Sequence, residues 1–342
     1  MPNTALLTRD QLQLLRGVSR SFYLTIRLLP AALQGPIAVG YLLARATDTV
    51  ADTTVLPASE RLALLHGLAQ AIQSPAGSLQ ALQPLLSAFA SHQTDPHERA
   101  LMQALPDCLP LLQDLASDDQ TSVRWVLGHI TRGQVLDVER FGQGPAALTT
   151  ETELDDYTWL VAGCVGEFWT ELCERHLPGF ATQSADAMRL AGRAYGMGLQ
   201  RLNILRDAGA DLAAGRCYLP EARLNPLGLS PERLMTAAHT GDAPTLQQLA
   251  PLWDDYLQQT HQQLSEGVLY SQCLTSRRLR LACALPALIG ARTVALLRHA
   301  GPQALTQRVK MPRHEMRALF WRLLWRLASP HAVAREFQHL SQ

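Results

Sequence analysis

The chain has 342 residues, of which 47% are apolar and 18% are charged. This composition excludes a disordered chain, and the length is sufficient to bury a core without disulfide or metal staples. Lys plus Arg and Asp plus Glu each total 30, so the net charge is zero. We therefore expect no nucleic-acid partner, because proteins that bind phosphate backbones are usually basic.

The six cysteines include no CxxC pair, which argues against a structural zinc site. The N-terminus lacks the charged-then-apolar pattern of a signal peptide. No run of roughly 18 apolar residues is uninterrupted, so no spanning helix is expected. These features predict a cytoplasmic protein, either free or peripheral to a membrane.

The residue pattern predicts α-helix almost throughout the sequence. Leu and Ala dominate, β-branched runs are rare, and no stretch alternates at period two. Breaks rich in Pro, Gly and Ser separate about nine to eleven predicted helices, and none resembles a long linker. The pattern predicts an all-α bundle forming a single domain over residues 1–342.

Three helix starts can be predicted from capping patterns. Thr8 with Gln11 and Thr150 with Glu153 have the spacing of a capping box. Ser230 is followed by a proline, which is typical of an N-cap and a first helical residue.

The first chemically informative segment runs from Tyr41 to Asp52. Asp48 and Asp52 are four residues apart, so they share one helix face, and Arg45 and Tyr41 lie on the same face. Like charges at this spacing destabilise a helix by about 0.2–0.5 kcal/mol unless a cation lies between them. The apolar flanks make unpaired carboxylates still more costly.

The second segment repeats this arrangement. Asn203, Asp207 and Asp211 follow one another at steps of four, Arg206 precedes the first aspartate, and Gln200 lies on a neighbouring stripe. We call these two sets the first and second carboxylate ladders. Each ladder also fits a solvated face with local Asp–Arg pairs.

Two such ladders in one bundle can face each other across a cavity. Opposed oxygen ligands suit Mg²⁺, which takes one or two carboxylates and completes its shell with water and substrate phosphates. Arginines beside the ladders suit diphosphate oxygens, because the guanidinium fork donates two hydrogen bonds. The repeated pattern therefore favours a diphosphate site.

Four stretches, in this order, resemble motifs of the squalene/phytoene synthase family of head-to-head prenyl synthases. They are Ser19–Phe22, Tyr41–Asp52, Tyr157–Glu167 and Asn203–Pro220. The resemblance implies an all-α isoprenoid-synthase bundle with a central cavity. It also implies two molecules of farnesyl diphosphate as substrates and Mg²⁺ as cofactor.

The resemblance further implies roles for individual residues. The metal ligands would be Asp48, Asp52, Asn203, Asp207 and Asp211. The diphosphate contacts would be Ser19, Ser21, Phe22, Tyr41, Arg45, Gln200, Asn203 and Arg206. The catalytic set would be the four ladder aspartates and Tyr157, which matches the family tyrosine linked to the first half-reaction.

Two positions depart from the family pattern. Some relatives carry an acidic residue directly before the last aspartate of the first motif, where this chain has Ala51. Squalene synthases often have Phe where this chain has Ala282. By contrast, Lys310 and Arg313 resemble the basic segment that squalene synthases use near NADPH, so we expect these two residues to bind NADPH.

The expected reaction is Mg²⁺-dependent condensation of two farnesyl diphosphates through presqualene diphosphate, followed by NADPH-dependent reduction to squalene. The alternatives are presqualene diphosphate, hydroxysqualene, dehydrosqualene or phytoene synthesis without a reductive step, or a non-catalytic interaction protein.

Residues 314–328 mix Trp, Leu and Arg, so this helix either lies in a membrane surface or packs on the bundle. A monomer is expected.

Overall fold

The computed structural model describes residues 7–19, 23, 26–74, 79–326 and 330–342. Within these ranges the chain forms fifteen α-helices and two strands of two residues each, which confirms the all-α prediction. The expected nine to eleven helices were too few. Some helices, such as Glu221–Leu224, are too short to show a helical period in the sequence.

The helices group into two compact units. The first comprises residues up to Gly142 together with Glu171–His176. Its helices are α1 (Arg9–Val18), α2 (Ala31–Asp52), α3 (Ala58–Gln73), α4 (Gln83–His92), α5 (Pro96–Cys108) and α6 (Ser117–Phe141). Its core is rich in leucines such as Leu42 and Leu65, which are fully buried.

The second unit comprises residues 143–170 and 177–342. Its helices, with α8 continuing beyond the unit, are α7 (Glu151–Thr158), α8 (Cys164–His176), α9 (Ala185–Ala213), α10 (Glu221–Leu224), α11 (Pro231–Thr240), α12 (Ala243–Cys273), α13 (Arg277–Ala300), α14 (Arg313–Arg326) and α15 (Pro330–Leu340). Strands β1 (Ala146–Ala147) and β2 (Arg216–Cys217) pair in parallel. The single-domain organisation stays a prediction.

The predicted helix starts occur where the capping patterns place them. Thr8 and Gln11 exchange both hydrogen bonds of a capping box. Ser230 caps α11 through its hydroxyl. At α7 the Thr150 hydroxyl accepts from the Glu153 amide at 3.2 Å, but the Glu153 carboxylate reaches one residue further, to the amide of Thr149 at 2.7 Å.

Glycines allow helix α9 to pack so closely on α8 and on the turn before α8 that backbone atoms come into contact. A Cβ atom added to Gly166 would lie 1.9 Å from the Gly192 carbonyl oxygen, and one added to Gly196 would lie 2.3 Å from that of Ala162. No side chain fits at such distances. Two glycines four residues apart thus make one face of α9 flat enough for this crossing.

Among the described ranges, one stretch is long and apolar enough to cross a membrane by length and composition alone. It runs from Arg277 to Leu305 and includes α13, although the sequence led us to expect no such helix. Of its most apolar window, 61% is buried inside the fold, as in a core helix of a globular protein. This is weak evidence for a span.

Candidate active site

Helix α2 presents the first ladder along one of its faces. The opposite face carries apolar residues that anchor the helix in the core: Leu42, Leu43, Ala46 and Val50. Because this apolar stripe fixes the rotation of α2, Tyr41, Arg45 and Asp48 lie side by side at helical spacing. The structure therefore brings together the ladder residues that the sequence predicts in this segment.

Arg45 is bound by two carboxylates. Its Nη1 donates to Asp48 Oδ2 at 2.6 Å, and its Nη2 donates to Glu98 Oε1. Glu98 lies in the first turn of α5, whose N-terminus is capped by Asp95. The sequence analysis missed Glu98, because the packing of α5 against α2 brings it to Arg45 from 53 positions away.

Ser19 extends this cluster toward the end of α1. Its backbone amide closes α1 by donating to the Leu15 carbonyl, and its side chain is hydrogen-bonded to Tyr41. Burial raises the pKa of the Tyr41 phenol, and the hydrogen bond from Ser19 partly offsets that shift. Ser21 and Phe22, the other predicted residues of this segment, lie outside the described residues.

Asp48 has a strongly perturbed carboxyl group. Burial by protein atoms, together with the nearby charge of Asp52, raises its pKa to about 6, although Arg45 opposes both effects. The side chain still keeps 42% of its surface accessible. Asp52 is exposed, and two neighbouring carboxylates that remain accessible to solvent form an arrangement that a divalent cation would stabilise.

Helix α9 presents the second ladder. Asn203, Asp207 and Asp211 lie on successive turns, and the Asn203 amide donates to Gln200 at 3.4 Å. Arg206 binds Asp207 through Nε at 3.1 Å and Nη2 at 2.6 Å, which raises the pKa of the guanidinium. The guanidinium fork is therefore directed at the ladder itself.

The strand pair fixes the segment that follows the second ladder. Gly215 adopts a positive φ of 79°, and the next residue, Arg216, pairs with Ala146 of β1. Arg216 reaches back to Asp211 at 2.6 Å. Two residues later the ring of Tyr218 stacks on Tyr157, with centroids 5.3 Å apart.

Arg216 and Tyr218 were not predicted as site residues, although both lie within a recognised motif. The motif itself was the available signal, because it runs past the ladder to Pro220. Their contacts depend on the pairing of β1 with β2, which two-residue strands do not reveal in a sequence.

Tyr157 lies at the end of α7, directly before a π-helical turn at Trp159–Gly163. Such turns occur often at functional sites, because the extra residue redirects the side chains around it. The Trp159 indole N–H donates to Glu167 at 2.9 Å, and the guanidinium of Arg193 lies 5.4 Å from the Trp159 ring centre. These contacts hold the turn on its outer side.

Neither of the two residues predicted to bind NADPH lies in the interior of a helix. Lys310 belongs to the connection that leads into α14, Arg313 is the first residue of that helix, and both side chains are exposed. Glu315 binds Arg292 at 2.7 Å and so ties α14 to α13.

Across the described ranges, no group of three or more His, Cys, Asp or Glu side chains is arranged to hold a metal ion.

Comparison with known proteins gives a consistent family assignment. The model of the family described as squalene/phytoene synthase matches residues 15–315. The chain is 29% identical over 66% of its length to a bifunctional lycopene cyclase/phytoene synthase of Phaeosphaeria nodorum, and 27% identical over 62% to a squalene synthase of Mycosarcoma maydis. The matches cover only 36% and 35% of those two relatives.

Solved structures support the fold. The complex of TcSQS with the ligand BPH1237 superposes with a TM-score of 0.73 at 19% identity, covering 97% of this chain and 89% of that one. At this identity the likeness concerns the fold alone, which is that of the isoprenoid synthases. With the family model matching most of its length, the chain belongs to the squalene/phytoene synthase family.

Proposed function

We propose that this chain is a Mg²⁺-dependent prenyl synthase that joins two farnesyl diphosphates through presqualene diphosphate and reduces the product to squalene with NADPH. The observation that carries the proposal is the pair of carboxylate ladders on α2 and α9, each beside an arginine that binds its first aspartate.

The donor set of each ladder fits Mg²⁺. We propose that Asp48 and Asp52 hold it in the first ladder, and Asn203, Asp207 and Asp211 in the second. All five donate hard oxygen ligands, and two carboxylates are enough for an ion that completes its shell with water and substrate phosphates. Bound Mg²⁺ would neutralise the charge that develops on a departing diphosphate.

The arginines would bind the diphosphates. Arg45 and Arg206 now donate to Asp48 and Asp207. We propose that these guanidinium groups donate to phosphate oxygens once the carboxylates hold metal, since the fork fits both kinds of oxyanion. Ser19, Tyr41 and Gln200 would supply further hydrogen bonds.

The reaction begins when the allylic C–O bond of one farnesyl diphosphate breaks and diphosphate departs. The resulting cation is attacked by the double bond of the second chain, and loss of a proton closes the cyclopropane ring of presqualene diphosphate. We propose that Tyr157 acts in this half-reaction. Departure of the second diphosphate, rearrangement and hydride transfer from NADPH would then give squalene, with apolar walls excluding water from the cations.

A product made without reduction is the second candidate. Ala282 is half-buried on α13 at a position where squalene synthases often have Phe, and a phytoene synthase is as similar to this chain as a squalene synthase. These observations favour presqualene diphosphate, hydroxysqualene, dehydrosqualene or phytoene as the end product. A non-catalytic interaction protein has no comparable observation in its favour.

A product assay tests the proposal. The purified chain is incubated with farnesyl diphosphate and Mg²⁺, with and without NADPH, and the extracted lipids are identified by mass spectrometry. Squalene formed only with NADPH supports the full reaction, and Lys310→Glu with Arg313→Glu should then raise the KM for NADPH. A product that is unchanged by NADPH supports the second candidate. No product from either farnesyl or geranylgeranyl diphosphate contradicts both.

We also propose that α14 contacts a membrane surface, where an insoluble hydrocarbon would be released. Trp321 is 60% exposed and Phe320 is 37% exposed, and Arg317 on the same helix is exposed as well. Exposed aromatics beside cations are typical of interfacial helices. Sedimentation with phosphatidylglycerol vesicles should be lost in Trp321→Ala and unchanged in the control Leu190→Ala, which removes an exposed side chain from α9.

A further inference from the structure

A buried ion cluster lies in the second unit around Arg201, whose side chain is only 6% exposed. Arg201 lies on α9, two residues before Asn203. Its Nη1 donates to Gln259 Oε1 at 2.9 Å, and its Nη2 donates to Glu151 Oε1 at 3.2 Å and to the carboxylate of Asp155. One guanidinium thus joins α7, α9 and α12.

The cluster continues through Glu151. The Tyr256 hydroxyl donates to Glu151 Oε2 at 2.7 Å. Arg223 lies over the ring of Tyr256 at 5.6 Å and binds Asp255 at 2.5 Å. Arg223 belongs to α10, which begins three residues after Tyr218, so the same network also holds the segment on which Tyr157 stacks.

Helix α7 carries the Arg201 cluster and the ring stack of Tyr157 on different sides. Glu151 and Asp155 are four residues apart and both meet Arg201. Tyr157 follows Asp155 by two residues, and two residues correspond to a rotation of about 200° around a helix. The ion cluster therefore lies on one side of α7, and the Tyr157–Tyr218 stack lies on the other.

We propose that Arg201 is a positioning residue: by holding Glu151 and Asp155 it fixes α7 against α9 and so places Tyr157 relative to the second ladder. A well-packed apolar contact would join the helices at lower desolvation cost. A planar guanidinium that donates to one group through Nη1 and to two through Nη2 adds a defined angle and register. The inference rests on the proposed function, which supplies the role of Tyr157 in the first half-reaction.

The test separates the two half-reactions. Arg201→Gln and Arg201→Lys are compared with Arg189→Gln, a matched control on α9 whose arginine pairs with the exposed Asp186. One assay follows presqualene diphosphate formation from farnesyl diphosphate, and the other follows consumption of supplied presqualene diphosphate. Melting temperature is measured for each variant.

We expect Arg201→Gln to lower kcat of the first half-reaction by about 100-fold with little change in KM, because small misplacements of reacting groups have effects of this size. The rate of presqualene diphosphate consumption should stay within threefold of that of the parent. A threefold change corresponds to about 0.65 kcal/mol in activation free energy. Arg201→Lys should recover part of the loss. Equal losses in both half-reactions, or a lower melting temperature with unchanged kcat, would overturn the proposal.

Two further measurements keep the outcome decisive. If Arg201→Gln does not fold, Asp155→Asn removes one partner at constant size and should slow the same half-reaction selectively. If the parent chain makes no product, the proposed function fails, but the inference is still tested by hydrogen exchange. Residues 151–158 should then exchange at least tenfold faster in Arg201→Lys than in Arg189→Gln, and equal rates would refute it.

Discussion

Arg45 and Asp48 are joined by an ion pair of 2.6 Å on one face of α2, and Glu98 of α5 holds the other amino group of the same guanidinium. The guanidinium of Arg45 thus balances carboxylates from two helices, while Asp52 lies one turn further along α2. If Asp48 turns to a metal ion, Glu98 remains as the anchor of Arg45. The orientation of Arg45 would then survive substrate binding.

Glu98→Gln should weaken this anchor. We expect the KM for farnesyl diphosphate to rise about fivefold to tenfold, and the free energy of unfolding to fall by about 0.5–1 kcal/mol, since the pair is only partly exposed. Steady-state kinetics and urea unfolding check both values. Glu60→Gln, at an exposed position in the first turn of α3, is the control. An unchanged KM in Glu98→Gln would show that Arg45 needs no anchor.

Tyr157→Phe removes the hydroxyl and keeps the ring that stacks on Tyr218. We expect presqualene diphosphate formation to slow by about 100-fold, as for the loss of a group that stabilises charge or transfers a proton. The melting temperature should change little. Tyr23→Phe, which removes a partly exposed phenol beside Arg27 in the first unit, serves as control. Full activity of Tyr157→Phe would remove this residue from the mechanism.

Gly166→Ala should disrupt the close crossing between α8 and α9. The added methyl group meets the Gly192 carbonyl oxygen at 1.9 Å, so the helices must separate, at a cost of about 1–3 kcal/mol. Gly128→Ala in α6 is the matched control, because its nearest neighbour is the flexible end of Gln73 and alanine favours helix. Thermal unfolding should show a loss for the first variant and no loss for the second. Equal stability of the two variants would contradict the crossing.

Four of the six cysteines should be unreactive in the folded protein. Burial raises the pKa of Cys164, Cys173 and Cys217 to about 12, and that of Cys108 to about 11. A raised pKa keeps a thiol protonated, so at pH 8 the thiolate fraction of the first three is about 10⁻⁴. Labelling with a thiol reagent should be slow for these four until denaturant is added. Fast labelling of any of these four thiols in the native state would contradict this burial.

The parts of the site that the sequence predicted are those fixed by local spacing. Asp48 and Asp52 share a helix face because they are four residues apart, whatever surrounds them. The same holds for Asn203, Asp207 and Asp211. The caps at Thr8 and Ser230 depend on three or four neighbouring residues, and the structure confirms both.

The parts that could not be predicted depend on contacts between distant segments. Glu98 meets Arg45 across 53 positions, and Glu151 meets Arg201 across 50. Neither pair has a spacing rule, because helix packing rather than helix period brings its members together. The π-helical turn after Tyr157 likewise leaves no mark in the residue pattern.

We propose that both carboxylate ladders take part in one Mg²⁺-dependent reaction of a prenyl diphosphate. The most direct measurement is the rate of diphosphate release from farnesyl diphosphate by the parent chain, Asp48→Asn and Asp207→Asn across a Mg²⁺ titration. We predict release only with Mg²⁺ and a loss of about 10³-fold or more in each variant, with circular dichroism unchanged. Release that persists in either variant, or without a divalent cation, would contradict the claim.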